Sequence, residues 1–144
     1  SLVSDTKIPV PRRTALGIDN SRLSLILAVL EKKNRVYFYS SDVYVNVVGG
    51  LNLDGTTADL GIALSLFSSS KGVCAKLEKL VAVGEIGLTG EIRPVSNCDR
   101  IVNEAKKLGF KNIVIPYRNL DKITIEGINI IGVNTLKEAI NKVF

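Results

Sequence analysis

The sequence predicts a mixed domain, α/β in the broad sense or α+β. Short β-branched and aromatic runs alternate with segments whose apolar residues recur at every third or fourth position. Two apolar runs flank Leu88-Thr89-Gly90 as the arms of a hairpin would. The chain has 144 residues, 46% of them hydrophobic, enough for one sizeable core.

Residues 1–19 lack periodicity and contain Pro9, Pro11 and the pair Arg12-Arg13, so they read as a linker or arm. Residues 1–10 are assigned to a linker and 11–144 to the domain. Asp19 or Asn20 can cap a first helix on which Leu23, Ile26 and Leu30 share a face, and the charged stretch EKKNR ends it. VYFYS and VYVNVV read as strands, the second closed by Gly49-Gly50. After the loop LNLDG, a helix from Thr57 onward aligns Leu60, Ala63, Leu64 and Phe67, and Ser68 to Gly72 should break it. LVAVGEIGL reads as one buried strand from Leu80 to Leu88, with GEIRPV as its hairpin partner. A helix with Cys98, Ile101, Ala105 and Leu108 on its apolar face should end at Gly109. NIVIP, ITI and INIIGV are the remaining strands, and Thr135 with Glu138 forms a capping box before a last helix.

Composition removes several functions. There is no His, so neither a Ser-His-Asp nor a Cys-His arrangement can be built, and most zinc sites are excluded. Cys74 and Cys98 stand in unrelated contexts and read as reduced thiols of a cytoplasmic protein. No apolar run approaches the ~20 residues of a membrane span, and no signal peptide is recognisable. The absence of Met makes an excised domain or a processed N-terminus the expectation. No GxxxxGK[ST] occurs, and the glycines of GEIGLTGE lie in a hairpin, so neither a P-loop nor a dinucleotide fingerprint is present. A net charge of +5, spread over the chain, permits contact with phosphate without establishing it. Aromatic residues make up 6%, and Tyr37, Phe38 and Tyr39 fit a strand better than a base-stacking platform.

The stretch GLNLDGTTADLG, residues 50–61, poses the central question: whether it holds a nucleophile or only starts a helix. Thr56 followed by Asp59 suits a capping-box-like start, with an acid favoured in the first turn. VNVVGG, LDGTTADLG, VAVGEIGLTGEIRPV and a helix beginning near Asn97 occur in that order. Together with TALGIDNSRLSLILAVLEK and EAKKLGFKNIVIP, they resemble the Lon-type proteolytic domain. More closely, they resemble its relative at the C-terminus of the bacterial DNA-repair helicases of the RadA (Sms) family, from about Pro11 to Phe144.

That resemblance implies a Lon proteolytic-domain-like fold of the ribosomal protein S5 domain 2-like type, with a mixed sheet and packed helices. Active Lon-type proteases carry approximately DGPSAG, with a serine nucleophile and a lysine base on the helix after the hairpin. Here Thr57 stands at the serine position and Asp99 at the lysine position. A threonine hydroxyl needs an activating base, and an aspartate near its ordinary pKa of ~3.9 is a poor one. The catalytic positions therefore read as degenerate, and the loop as a helix start. Cys98 beside Asp99 lacks an activating partner and reads as a core thiol.

The resemblance further implies a scaffold that supports a hexameric ring and binds DNA without sequence preference during branch migration. An upstream ATPase would use ATP and Mg, this part of the chain needing no cofactor or metal; partners would be DNA, further copies of the chain and a recombinase. Arg22, in the first turn of its helix, either makes a phosphate-binding corner or pairs with Asp19 or Asp5. Arg93 lies just past the hairpin, on an inner ring surface or simply in solvent. Arg12, Arg13, Lys32, Lys33 and Arg35 are candidates for phosphate contacts. Asn52 stands where such proteins often carry Lys or Arg, and can still donate to a phosphate. Two rival readings are an active peptidase, with Thr57 served by Lys106 or Lys107, and an oligomerisation domain without DNA contact.

Overall fold

A computed structural model describes residues 2–5, 13–16, 19–35, 41–46 and 55–144. The elements are β1 (Leu2–Asp5), β2 (Arg13–Leu16), α1 (Asn20–Asn34), β3 (Ser41–Asn46), a 3-10 turn (Gly55–Ala58), α2 (Asp59–Lys71), β4 (Leu80–Ala82), β5 (Glu85–Ile86), β6 (Ile92–Arg93), α3 (Cys98–Lys107), β7 (Asn112–Pro116), α4 (Tyr117–Leu120), β8 (Asn129–Val133) and α5 (Leu136–Val143). VYFYS, Arg12 and Asn52 lie outside the described residues, as does the side chain of Arg13.

One sheet has the order β1-β3-β2, with β1 antiparallel and β2 parallel to β3. This corrects the reading of residues 1–19 as an arm. Leu2–Asp5 pairs along Tyr44–Ser41, and Arg13–Leu16 pairs along Val43–Asn46. Segments this short carry too little periodicity to announce a strand; only the partner makes one.

The second sheet, β4-β7-β8, is parallel throughout. Its short strands alternate between two cores, as period-two geometry requires. Ala82, Val114 and Val133 face the larger core with α1, α2 and α5. Val83, Ile113 and Ile115 face a smaller core closed by Cys98, Val102 and Ala105 of α3. Helices on both faces bury this sheet, as a parallel sheet demands.

Local signals set most helix ends. Asp19 caps α1, accepting from the Ser21 N–H at 3.1 Å and the Ser21 hydroxyl at 2.7 Å. Gly109, at φ 93°, follows α3 as the left-handed residue of a Schellman ending. Its N–H donates to Lys106 O (3.1 Å), and the Phe110 N–H donates to Ala105 O (3.1 Å). Thr135 caps α5 through the Glu138 N–H at 3.1 Å, while the Glu138 carboxylate takes the Asn134 N–H at 2.9 Å. That hydrogen bond, with Lys142 at 3.1 Å, holds the Glu138 carboxyl below its ordinary value.

Several local expectations give way to packing. The serines at 68–70 stay helical and α2 ends only at Gly72, φ 65°. Leu108 is half exposed, and Val102 takes its place on the buried face of α3. ITI forms no strand; Ile123 and Ile125 cover the smaller core from a loop. LVAVGEIGL is two strands in two sheets, because the chain leaves β7 at Gly84. There it is held by α2's entry turn: the Gly84 N–H donates to Thr57 O (2.9 Å) and Gly84 O accepts from the Leu60 N–H (3.0 Å). A Cβ at Gly84 would lie 2.8 Å from Ile92 Cγ2, so no larger residue fits this crossing.

Gly61 shows a similar close approach within α2: a Cβ there would lie 2.9 Å from the Ala82 carbonyl oxygen of β4. Alanine gains ~1 kcal/mol over glycine in a helix interior, but overpacking against backbone costs about 1–3 kcal/mol. Gly61→Ala should therefore lower the urea midpoint rather than raise it; a raised midpoint would show that α2 and β4 separate freely.

Candidate functional site

The turn Gly55–Ala58, in the stretch GLNLDGTTADLG, is part of a clasp between three elements. Besides the two Gly84 hydrogen bonds, the Thr56 hydroxyl donates to Glu85 Oε2 at 2.8 Å. Asp59, 1% exposed, is the buried charge of this corner. Its carboxylate accepts from Arg22 Nε at 2.9 and 3.1 Å, from Arg22 Nη2, and from the Ile86 N–H at 3.1 Å. Arg22 Nη2 also donates to Ile86 O at 2.7 Å. One guanidinium and one carboxylate thus satisfy both backbone groups of Ile86 and join α1, α2 and β5.

These contacts settle what the letters left open. Among the described residues the partner of Arg22 is Asp59, 37 residues away, and not Asp19; the side chain of Asp5 lies outside the described residues. The anion filling the corner proposed for a phosphate is this protein carboxylate. The hydrogen bond to Asp59, more than its Coulombic attraction, raises the Arg22 pKa above its ordinary value. The capping-box-like reading of Thr56 and Asp59 is corrected as well. Ala58 precedes α2 without a side-chain cap, and the Thr56 and Asp59 side chains bind β5 and α1 instead. Asp59 in the first turn of α2 also complements the positive helix end.

Thr57 is half-buried in the 3-10 turn, and Asp99 is exposed in the first turn of α3. No hydrogen bond joins the Thr57 hydroxyl to Asp99, Lys106 or Lys107 among the described residues; Thr57 instead presents its carbonyl to Gly84. Lys106 lies with its side-chain end beside Gly127, 2.9 Å from where a Cβ would stand. Cys98 is buried at 4% exposure, and desolvation, aided by the charge of Asp99, pushes its thiol up to about 11.

A second polar group organises the hairpin of β5 and β6. Arg93 sits between two carboxylates: Nη2 lies 3.2 Å from Glu91 Oε1, and Nη1 lies 3.8 Å from Glu85 Oε1. The Glu91 carboxylate also accepts from the Thr89 N–H at 3.1 Å and from its hydroxyl. The Thr89 hydroxyl is the main cause holding the Glu91 carboxyl below its ordinary range. Arg93 is thus both exposed and paired. Lys32, Lys33 and Arg35 are exposed at the C-terminal end of α1, against which the hairpin rests: Gly90 is buried, and a Cβ there would contact Lys33 Cγ at 3.7 Å and Val29 Cγ1 at 3.9 Å. Asp59, Glu85 and Glu91 were missed as organising residues. For Asp59 a signal existed, since one acid opens an apolar helix and one cation opens another.

Removing one partner of a buried pair leaves an unsatisfied charge, at a cost of about 3–5 kcal/mol. Because the Asp59 carboxylate is 1% exposed while Arg22 remains 20% exposed and partly hydrated, Arg22→Ala, which strands Asp59 in the core and orphans Ile86 O, should cost more than Asp59→Ala, whose remaining guanidinium reaches water. Equal urea midpoints for the two variants would contradict this geometry. For the thiols, Cys74 is exposed and Cys98 buried, so iodoacetamide at pH 8 should label Cys74 alone in the native chain. Unfolded Cys98 ionises near 9.0 and folded Cys98 only at about 11. Its contribution to stability is therefore unchanged below pH 9 and falls as pH rises through that window. Native labelling of Cys98 at pH 8 would refute its burial.

Comparison with known proteins places this chain in a family. Residues 18–119 match the family model described as ChlI, subunit ChlI of Mg-chelatase. Among curated relatives, the DNA repair protein RadA of Halalkalibacterium halodurans is 48% identical over 97% of this chain and 31% of its own length. RadA of Bacillus subtilis (strain 168) is 44% identical over 97% of this chain and 31% of its own length. RadA of Escherichia coli (strain K12) is 39% identical over 98% of this chain and 30% of its own length. The chain thus spans about 30% of the length of the curated relatives it matches. The chain belongs to the ChlI family, and its likeness over nearly its whole length is to bacterial DNA repair proteins named RadA.

Proposed function

We propose that this chain is a proteolytically inactive, Lon-like scaffold domain of a RadA-type DNA repair protein. It supports assembly of a hexameric ring and contacts DNA through the phosphate backbone. The observation that carries the reading is the clasp around Asp59. At the position where a Lon-type protease presents its nucleophile, the backbone of Thr57 is bound to Gly84, and the acid two residues on binds Arg22. No side chain within hydrogen-bonding distance of the Thr57 hydroxyl serves it as a base among the described residues. The loop has the role of a structural joint.

Of the candidate cations among the described residues, Lys32, Lys33 and Arg35 are exposed, at a helix end whose dipole favours positive charge. Arg12 and Arg13 add to them in the proposal. Arg93 contributes less, because Glu85 and Glu91 already compensate it. Arg22 acts by holding the joint. ATP and Mg belong to an ATPase part of the longer protein, the recombinase to its partners, and the cytoplasm is its compartment.

Titration of fluorescent single- and double-stranded DNA at low and at roughly 200 mM salt tests this. Affinity should fall steeply with salt, and the triple change Lys32→Ala, Lys33→Ala, Arg35→Ala should flatten the salt slope by about one per lost phosphate contact. Unfolded casein should survive incubation with the chain. Casein cleavage that disappears in Thr57→Ala would replace the proposal with an active peptidase. Rings seen by light scattering that bind no DNA at low salt would leave only the oligomerisation role.

A further inference from the structure

Leu88 is 72% exposed, more than any other large hydrophobic side chain among the described residues. It stands at the tip of the β5–β6 hairpin, where the loop Leu88-Thr89-Gly90 is closed by the Gly87 N–H on Glu91 O (2.9 Å) and the Gly90 N–H on Gly87 O (3.0 Å). Gly90, at φ 85°, supplies the left-handed residue that such a three-residue loop needs. Thr89 is tied to the Glu91 carboxylate, and Gly90 O accepts from the Leu136 N–H at 2.9 Å. The tip is therefore fixed to the start of α5 and rests on α1 at Val29 and Lys33. An apolar side chain on such a tip is held out into water by a turn whose Gly87, Thr89 and Gly90 N–H groups are all bonded.

The surroundings discriminate between partners. A stable protein interface covers roughly 800 Å² on each side around an apolar centre. Here one leucine stands beside exposed Thr89, on a hairpin whose Gly90 lies against Lys33 at the basic end of α1. The two carboxylates of the hairpin share Arg93. A single projecting apolar side chain on a hairpin that packs against a basic helix end fits nucleic acid instead: cations hold phosphates while the apolar group meets a base face where stacking is broken. We propose that Leu88 is an apolar wedge against unstacked bases of single-stranded or forked DNA, with Lys32 and Lys33 on the adjoining phosphates. This rests on the DNA-binding reading above and adds to it a preference for broken stacking, which backbone contacts alone do not supply.

The test uses the 144-residue chain with blunt duplex, forked and single-stranded DNA carrying 2-aminopurine beside the fork. Leu88→Ala should weaken binding to forked and single-stranded DNA roughly fivefold or more and abolish the rise in 2-aminopurine fluorescence. Duplex binding should stay within about twofold, since an exposed position has little effect on stability. Leu88→Phe should retain the wedge. If Leu88→Ala leaves forked DNA binding and fluorescence unchanged while Lys32→Ala with Lys33→Ala weakens binding, the wedge is wrong and backbone binding stands. If the unaltered chain binds no DNA at low salt, both readings fall. A lower mass by light scattering for Leu88→Ala alone would assign the leucine to contacts between copies and overturn the wedge.

Discussion

A carboxylate with 1% of its surface exposed has to find its compensating charge inside the protein, and Asp59 finds it in Arg22. Both residues stand in the first turn of helices whose packed faces are apolar, so helix packing alone would bring two charges into an environment that resists them. The pair resolves this by also taking the N–H and carbonyl of Ile86, which fixes where β5 runs. With β5 placed, Gly84 meets the entry turn of α2, the chain leaves the parallel sheet there, and the hairpin starts. The rest of the fold inherits that geometry.

The hairpin extends the joint outward. Ile86 and Ile92 bury their side chains in the larger core, while Glu85, Glu91 and Arg93 form a shared-charge cluster on the opposite side of these short strands. The Ile92 N–H donates to Asn134 O at 2.8 Å, and Glu91 bridges to Thr135, so the hairpin is continuous with the capped start of α5. A position that resembles a catalytic loop thus leads, through hydrogen bonds, to an exposed and well-supported tip beside the basic end of α1. Charges at the joint are used up internally, whereas those at the rim remain accessible. This division is what separates a structural role for Arg22 from the binding role proposed for Lys32 and Lys33.

Much of the architecture was legible where the deciding interaction is short in sequence. Asp19 with Ser21, Thr135 with Glu138, Gly109 after α3 and the turn at Leu88-Thr89-Gly90 each act within a few residues, so residue type and spacing reveal them. The buried strand NIVIP was equally plain, since its apolar run needs no particular partner to be recognised. The candidate site was legible only as a position: DGTTAD marks the loop, and the sequence holds no histidine to serve it as a base.

By itself, then, the sequence determined the mixed class, the family, the local caps and the absence of an imidazole-based site, because each depends on residue identity or on neighbours along the chain. Tertiary structure alone decided that Arg22 faces Asp59, that Leu80–Leu88 divides between two sheets at Gly84, and that Leu2–Asp5 is a strand. Arg22 had several acids within reach on paper; Asp59 became its partner because burial leaves that carboxylate without water. A charge on the surface can exchange partners through solvent, but one in the core must be matched by whatever the packing brings to it.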